Sequence, residues 1–321
     1  MSSIPLTSTM KAVARLPWIW SFVAAFVAWA IAVAAASGLG GGAMITAALT
    51  FAVFSVFVGV GQMFVMASGP GNVDLSIPSV IGLSGMVAMK TMGGADDAIL
   101  TGIVAALCAG AVIGVGNALL IRLLKVPPII ATLSMSLIVQ SIAIAYGRGL
   151  LIAPPPLMSA NATYRVAGVP LMAVFGTVIA ALAALVLHRT IFGRSVLAVG
   201  QNDRAAALAG IHVWRTRFVT YGLSGVMAAL CGILLASISG GASLDMGNEY
   251  LLTSIALVVI GGTSVSGGRA NVTGIWGAGL FLYLLVSMLN SLGVGTGWRL
   301  VFTGLIIIAV IVAAGGDDSR R

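Results

Sequence analysis

Charge is what this chain has least of. Only 7% of its 321 residues are Asp, Glu, Lys or Arg, and Asp and Glu together number 8. A soluble domain carries about 25% charged residues because its surface faces water. With so few charges most of this surface cannot be wetted, and the length-based expectation of two soluble domains gives way. Cysteine is scarce as well. Cys108 and Cys231 lie inside apolar runs with no CxxC pair and no Cys/His cluster, which excludes a disulfide framework or a zinc site and leaves them as packing residues. No GxxxxGK[ST] loop occurs, and no GxSxG, HExxH or Ser/His/Asp set. Nucleotide is therefore not bound here through a P-loop, and hydrolysis has no carrier. The two histidines, His188 and His212, sit in or beside one basic loop, where solvated histidines far outnumber catalytic ones. A Gly-X-Y period is missing too, so the 42 glycines are not collagen.

What the chain has is apolar length. Sixty per cent of the residues are hydrophobic, far too many for disorder, and the abundant Gly, Ala and Ser suit close helix packing in lipid. The net charge of +8 does not indicate nucleic acid, because the basic residues stand singly or in pairs at the ends of apolar runs. Crossing the hydrocarbon core takes about 20 apolar residues in a helix. Ten candidate spans read as 16–37, 44–68, 77–89, 99–121, 128–146, 170–188, 218–238, 251–262, 272–292 and 298–314. The first is too long for the core of a signal peptide and more spans follow, so it reads as an uncleaved helix. The short runs 77–89 and 251–262 adjoin Gly/Ser/Pro-rich stretches, as broken helices lining a cavity do. The expectation is an all-α integral membrane protein of about ten transmembrane helices, a single permease-like domain over 1–321.

Orientation follows from Lys and Arg in short loops. With the N-terminus cytoplasmic, Lys11, Arg15, Arg122, Lys125, Arg189, Arg194, Arg204, Arg215, Arg217, Arg269, Arg320 and Arg321 fall inside. Lys90, Arg148, Arg165 and Arg299 fall outside. Both termini are then cytoplasmic, loop 189–217 is inside, and the proline-bearing loop 147–169 is outside and expected to be extended. GLSG occurs at 82–85 and again at 222–225, either an internal echo or coincidence in a Gly/Ser-rich chain.

Charges within spans mark ion pathways. Here Asp74, Asp96, Asp97, Asp203, Asp245, Glu249, Asp317 and Asp318 fall in loops or at span ends, which counts against proton coupling. Uncharged polar residues do lie within spans: Gln62, Asn117, Gln140, Ser141 and Asn290. Each either bonds a neighbouring helix, worth about 0.6 kcal/mol, or lines a route for a hydroxylated solute. In the basic loop, Asn202 suits an N-cap, Asp203 the first turn, Ala205 to Leu208 the helix body and Gly210 a left-handed C′ position. That makes a short self-capped helix over 203–209, suited to docking a partner or to serving as a linker.

From about residue 60 to 314 the sequence resembles the permeases of bacterial ATP-binding-cassette importers, in the ribose-type branch of the branched-chain amino-acid/sugar group. The inner-loop pattern is carried by Gly193, Arg194, Ala198, Gly200, Asn202, Ala205, Ala206, Leu208, Gly210 and Ile211. Asp74, Leu75, Ser76 and Ser79 match a second motif, and Val258, Val259, Gly261 to Ser264, Gly267 and Gly268 a third. Residues 126–133 are similar to a fourth. Asn72 and Pro78 stand where ribose permeases have glycine, and Leu251 and Thr253 where acidic residues often stand.

The resemblance implies a type II importer-like fold in the bacterial inner membrane, moving a small sugar or sugar-like polar solute. It implies coupling to a cytoplasmic ATPase subunit through Gly193, Arg194, Gly200, Asn202, Asp203, Ala205, Ala206, Leu208 and Gly210. A solute pathway is expected to include Gln62, Asn72, Asp74, Ser76, Gln140 and Asn290. Partners implied are that ATPase, a substrate-binding protein and a second permease copy or paralogue. ATP and magnesium belong to the ATPase, with no cofactor on this chain. The rival readings are a stand-alone secondary transporter or facilitator and, more weakly, an intramembrane enzyme.

Overall fold

The computed structural model describes residues 17–35, 40–149 and 152–315. Lys11, Arg15, Asp317, Asp318, Arg320, Arg321 and the chain termini lie outside the described residues. Thirteen α-helices are described: α1 (Pro17–Ala35), α2 (Gly41–Ala67), α3 (Ile77–Met92), α4 (Ile99–Leu124), α5 (Pro128–Tyr146), α6 (Pro156–Thr163), α7 (Leu171–Arg189), α8 (Ile191–Gln201), α9 (Asp203–Leu208), α10 (Val213–Ile238), α11 (Tyr250–Ile260), α12 (Val272–Ser291) and α13 (Thr296–Gly315). Strands β1 (Arg165–Val166) and β2 (Val169–Pro170) form a small antiparallel hairpin.

Among the described residues, seven helices are long and apolar enough to cross a membrane: α1, α2, α4, α5, α7, α10 and α12. Shorter apolar helices are α3, α11 and the 297–306 part of α13. Each of the ten apolar runs read from the sequence holds a helix. The largest boundary shift is at α10, which begins at Val213 rather than 218. Its first turns carry Trp214, Arg215 and Arg217, too polar to count as a span by hydropathy. They are held instead by the Arg217 and Arg122 guanidinium groups stacked over the Trp214 ring, 5.6 and 5.8 Å from its centroid. The loop expected to be extended at 147–169 is a correction: proline at the first position starts α6 within it, as proline suits a helix N-terminus. Asp96 then accepts a hydrogen bond from the Leu157 amide at 3.0 Å and ties that loop down.

Two helices organise the rest. α10 packs against α2, α3 and α4, and α2 packs against α7, α10, α11 and α12. The second half of α2 is apolar apart from Ser55 and Gln62 and is buried nearly all round, as a helix without a polar stripe must be. Where α4 crosses α10, a side chain at Gly110 or Gly225 would overlap the other's carbonyl, so the two backbones lie in contact. Most large exposed side chains on α4, α5 and α7 are Leu, Ile, Val or Phe, a surface made for lipid rather than water. Arg122, Lys125, Arg189, Arg194, Arg204, Arg215, Arg217 and Arg269 gather at one end, called the basic end below; Lys90, Arg148, Arg165 and Arg299 lie at the far end.

Candidate functional site

At the end of α2 the chain turns at Ser68 to Gly71 and runs without regular structure into α3. This connector carries Asn72, Asp74 and Ser76, and it is buried rather than solvated. Asp74 is 2% exposed. Its Oδ1 accepts from the Ser76 amide at 3.0 Å, from Ser76 Oγ at 2.6 Å and from Asn117 Nδ2 at 3.3 Å, while Oδ2 accepts from Ser224 Oγ at 2.7 Å. The Asp74 amide donates to Gln62 Oε1 at 3.2 Å. Asn117 Nδ2 also donates to Ser76 Oγ at 2.7 Å. The Leu75 amide donates to Thr132 Oγ1 at 3.1 Å, and that hydroxyl lies 3.2 Å from the Val73 carbonyl it can donate to. One carboxylate thereby gathers α4 and α10, and the connector's backbone brings in α2 and α5.

This corrects the expectation that no carboxylate is buried. Asp74 does lie in a loop, but that loop passes through the middle of the helices. A buried carboxylate is tolerated when neutral donors fill its lone pairs, and four do so here. Two atoms of the hub, Gln62 Nε2 and Asn117 Oδ1, have no partner among the described residues.

The second cluster is at the basic end. Thr190 Oγ1 accepts from the Gly193 amide at 3.1 Å and caps α8. Asn202 Oδ1 accepts from the Ala205 amide at 3.0 Å and caps α9. The helix stops in a Schellman arrangement: Gly210 has φ 84, its amide donates to the Ala207 carbonyl, and the Ile211 amide donates to that of Ala206. Asp203 pairs with Arg217 at 3.4 Å. The corner before α9 touches distant chain directly. A Cβ at Gly200 would overlap the Ala67 carbonyl oxygen and the Gly268 amide. The Gly268 amide donates to Ala67 at 3.0 Å, and Gln201 Nε2 donates to Gly268 at 3.4 Å. Three stretches far apart in sequence, 67–76, 193–211 and 261–268, so meet at one end.

The expected site residues divide accordingly. Gln62, Asn72, Asp74 and Ser76 come together; Asn72 Oδ1 accepts from Tyr221 at 3.4 Å. Gln140 sits half-buried on α5 outside the hub, and Asn290 is exposed at the far end, accepting from Arg299. In the inner loop Gly193, Gly200 and Ala206 face inward, whereas Arg194, Asn202, Asp203, Ala205, Leu208 and Gly210 are exposed. Leu208, 91% exposed, is the apolar side chain α9 offers outward. Ala206 is buried against its own chain, at 5% exposure. Reading the sequence missed Ser224, Thr132 and Tyr221; the second GLSG held a signal, since Ser224 is its serine.

Comparison with known proteins gives the family. The family model described as "Branched-chain amino acid transport system / permease component" matches residues 44–311. The chain is 33% identical over 261 residues to the ribose import permease protein RbsC of Bacillus subtilis, covering 78% of each chain. It is 30% identical to the L-arabinose ABC transporter permease protein AraH of Azospirillum brasilense, covering 82% of this chain and 78% of the relative. It is also 30% identical to the autoinducer 2 import system permease protein LsrD of Photorhabdus temperata, covering 75% and 74%. No solved structure matches. With the family model spanning most of the chain and its motifs meeting at one end of the fold, this protein belongs to the permease components of the branched-chain amino acid transport type, and it is the membrane-spanning permease subunit of an ATP-binding-cassette importer.

Proposed function

We propose that this permease moves a small, hydroxyl-rich solute of sugar type, driven by ATP hydrolysis on a separate subunit that seats α9. The observation that carries the coupling reading is the corner at Gly200. There the end of α8, one residue before α9 begins, rests on Ala67 and Gly268 through backbone atoms, so a push passed from α9 to α8 reaches α2 and the loop after α11 without passing through flexible side chains. Leu208 and the flanking Arg204 are its outward face. ATP and magnesium are held by that ATPase, and this chain needs no cofactor of its own. In this reading both termini and α9 are cytoplasmic, loop 147–169 meets a substrate-binding protein, and a second copy or a paralogue completes the pathway. All ten apolar helices belong to the membrane domain, with α3 and α11 as broken spans in the manner of type II importers, in the bacterial inner membrane.

The solute class rests on chemistry and on relatives together. Relatives named for ribose, arabinose and autoinducer 2 stand at 30–33% identity, so overall similarity favours none of the three strongly. An amino acid would need a partner for its ammonium group, and the hub around Asp74 does not supply one. The deepest carboxylate, Asp74, already has its oxygens filled by Ser76, Asn117 and Ser224. The same saturation weakens an ion-coupled reading, because loading an ion there would mean stripping those donors away.

The test is ATP-dependent uptake by proteoliposomes holding this chain with its ATPase and binding protein. Labelled ribose and arabinose are expected to accumulate and leucine is not. Uptake by this chain alone without ATP would replace the reading with a facilitator.

A further inference from the structure

The segment 240–249 is described without helix or strand between α10 and α11, and its course can be followed residue by residue. At the far end, a side chain at Gly241 would come within 3.4 Å of the Ile152 carbonyl. Next, Ala242 lies against Gly85, the Leu244 carbonyl against Gly82, and Gly247 against Pro78, where a Cβ would overlap the Pro78 carbonyl. The strap therefore runs along the first half of α3, from Gly85 back to Pro78. Pro78 lies fourteen residues below Met92, about 21 Å at 1.5 Å per residue. From the strap's lower end α11 continues for 11 residues, about 16 Å more, to the basic end. Gly247 thus sits near the middle of a hydrocarbon core about 30 Å thick.

One side of this strap is packed and the other is not. Ala242, Leu244 and Met246 pack into apolar clusters beside α3, and Gly247 is buried. Ser243, Asp245, Asn248 and Glu249 are exposed, with Asn248 Nδ2 donating to Asp245 Oδ1 at 3.0 Å. Hydrocarbon cannot solvate exposed carboxylates and irregular backbone at this depth; such groups persist only where they line a water-filled space or meet protein. We propose that the solute crosses the middle of the membrane along this strap, with Ser243, Asp245 and Asn248 as its hydrogen-bonding contacts. The mix of a hydroxyl, an amide and a carboxylate can both donate to and accept from a polyol, matching the hydroxyl-rich solute proposed above, on which the choice of solute rests. The depth and the hydrated lining do not rest on it.

The experiment uses the complete transporter with Cys108→Ala and Cys231→Ala, and single cysteines at Asp245, Asn248 or, as a lipid-facing control, Ile138. The probe is the charged thiol reagent methanethiosulfonate ethylsulfonate, added from each side with and without ATP. Modification at Asp245→Cys and Asn248→Cys is expected to run at least about a hundredfold faster than at Ile138→Cys, given the cost of charge in lipid, and to change with nucleotide state. Asn248→Ala is also expected to raise the KM for the transported pentose about tenfold, the loss of one buried hydrogen bond. Resistance at both strap positions in every nucleotide state overturns the proposal. So does a disulfide between two copies at Asp245→Cys without labelling, which would make the strap a subunit interface. If both positions label but neither ribose nor arabinose is carried, the route stands and the sugar reading falls.

Discussion

The two short helices make an instructive pair. Each follows a stretch of irregular chain, and each stretch carries carboxylates and amides. Before α3, the polar groups of 72–76 are turned inward and bonded to four other helices, so that Asp74 and Ser76 are as buried as any valine of the core. Before α11, those of 243–249 are turned outward and bonded mainly to each other. Similar residue types at comparable interruptions thus serve opposite ends. A carboxylate that accepts from four donors holds helices in register, and a carboxylate left exposed beside α3 has only Asn248 as its side-chain partner among the described residues.

The hardest blow to that contrast falls on Asp74. Replacing it by leucine leaves Ser76 Oγ, Ser224 Oγ, Asn117 Nδ2 and the Ser76 amide facing an apolar group. An unsatisfied buried donor costs about 1–3 kcal/mol, and relaxation allows about 3–5 kcal/mol for the removal as a whole. Most of the stability of an ordinary domain is of that size. Asp74→Leu is expected to lose most folded protein in detergent extracts, whereas Asp245→Leu should unfold within a few degrees of the parent. The contrast breaks if Asp74→Leu keeps its thermal midpoint and only transport fails, since Asp74 would then act as a pathway residue.

Gly200 comes next. A valine there forces a branched side chain into backbone atoms of Ala67 and Gly268, which cannot swing aside as a side-chain tip could. Overpacking of this kind costs about 1–3 kcal/mol. The expected result is a folded protein that still co-purifies with its ATPase through α9, yet shows hydrolysis no longer matched by uptake. Normal coupling ratios in Gly200→Val would mean that the junction between 67, 200 and 268 carries no force, and the link between the two short helices at the basic end would be only a packing contact.

Much of this was legible in the sequence, and the exceptions share a cause. Apolar runs locate helices because the bilayer demands continuous apolar length, so α5 is found at both its ends and α2 nearly so. Asn202 and Gly210 announce α9 because capping chemistry is local. What periodicity cannot give is the direction a loop takes. Asp74 and Asp245 both read as loop residues, and only the third dimension shows that both loops dive among the helices, one facing in and one facing out. Ser224 stood in the second GLSG, but nothing local tied that serine to Asp74, 150 residues away. The inward face of Ala206 was equally hidden, because a six-residue helix is too short to establish an apolar stripe.

The smallest effects are expected where the sequence pointed to a pathway and the packing does not. Asn290 stands at the far-end corner between α12 and α13, exposed, and accepts from the half-buried Arg299. Removing one solvent-exposed polar contact changes stability by under about 0.5 kcal/mol, and Asn290→Ala should leave KM within about twofold, less than half of 1.4 kcal/mol. Gln140 is the more informative of the two. Its neighbour Val139 is buried with Leu83 of α3, in a cluster that Leu244 of the strap also packs against. A helix turns about 100° per residue, so Gln140 points well away from that contact. Gln140→Ala is therefore expected to match the parent in solute KM and in thermal midpoint, both read in the same reconstituted preparation. A tenfold rise in KM with an unchanged midpoint would carry the solute route from the strap onto α5, so that α3 would be flanked by the pathway on two sides rather than one.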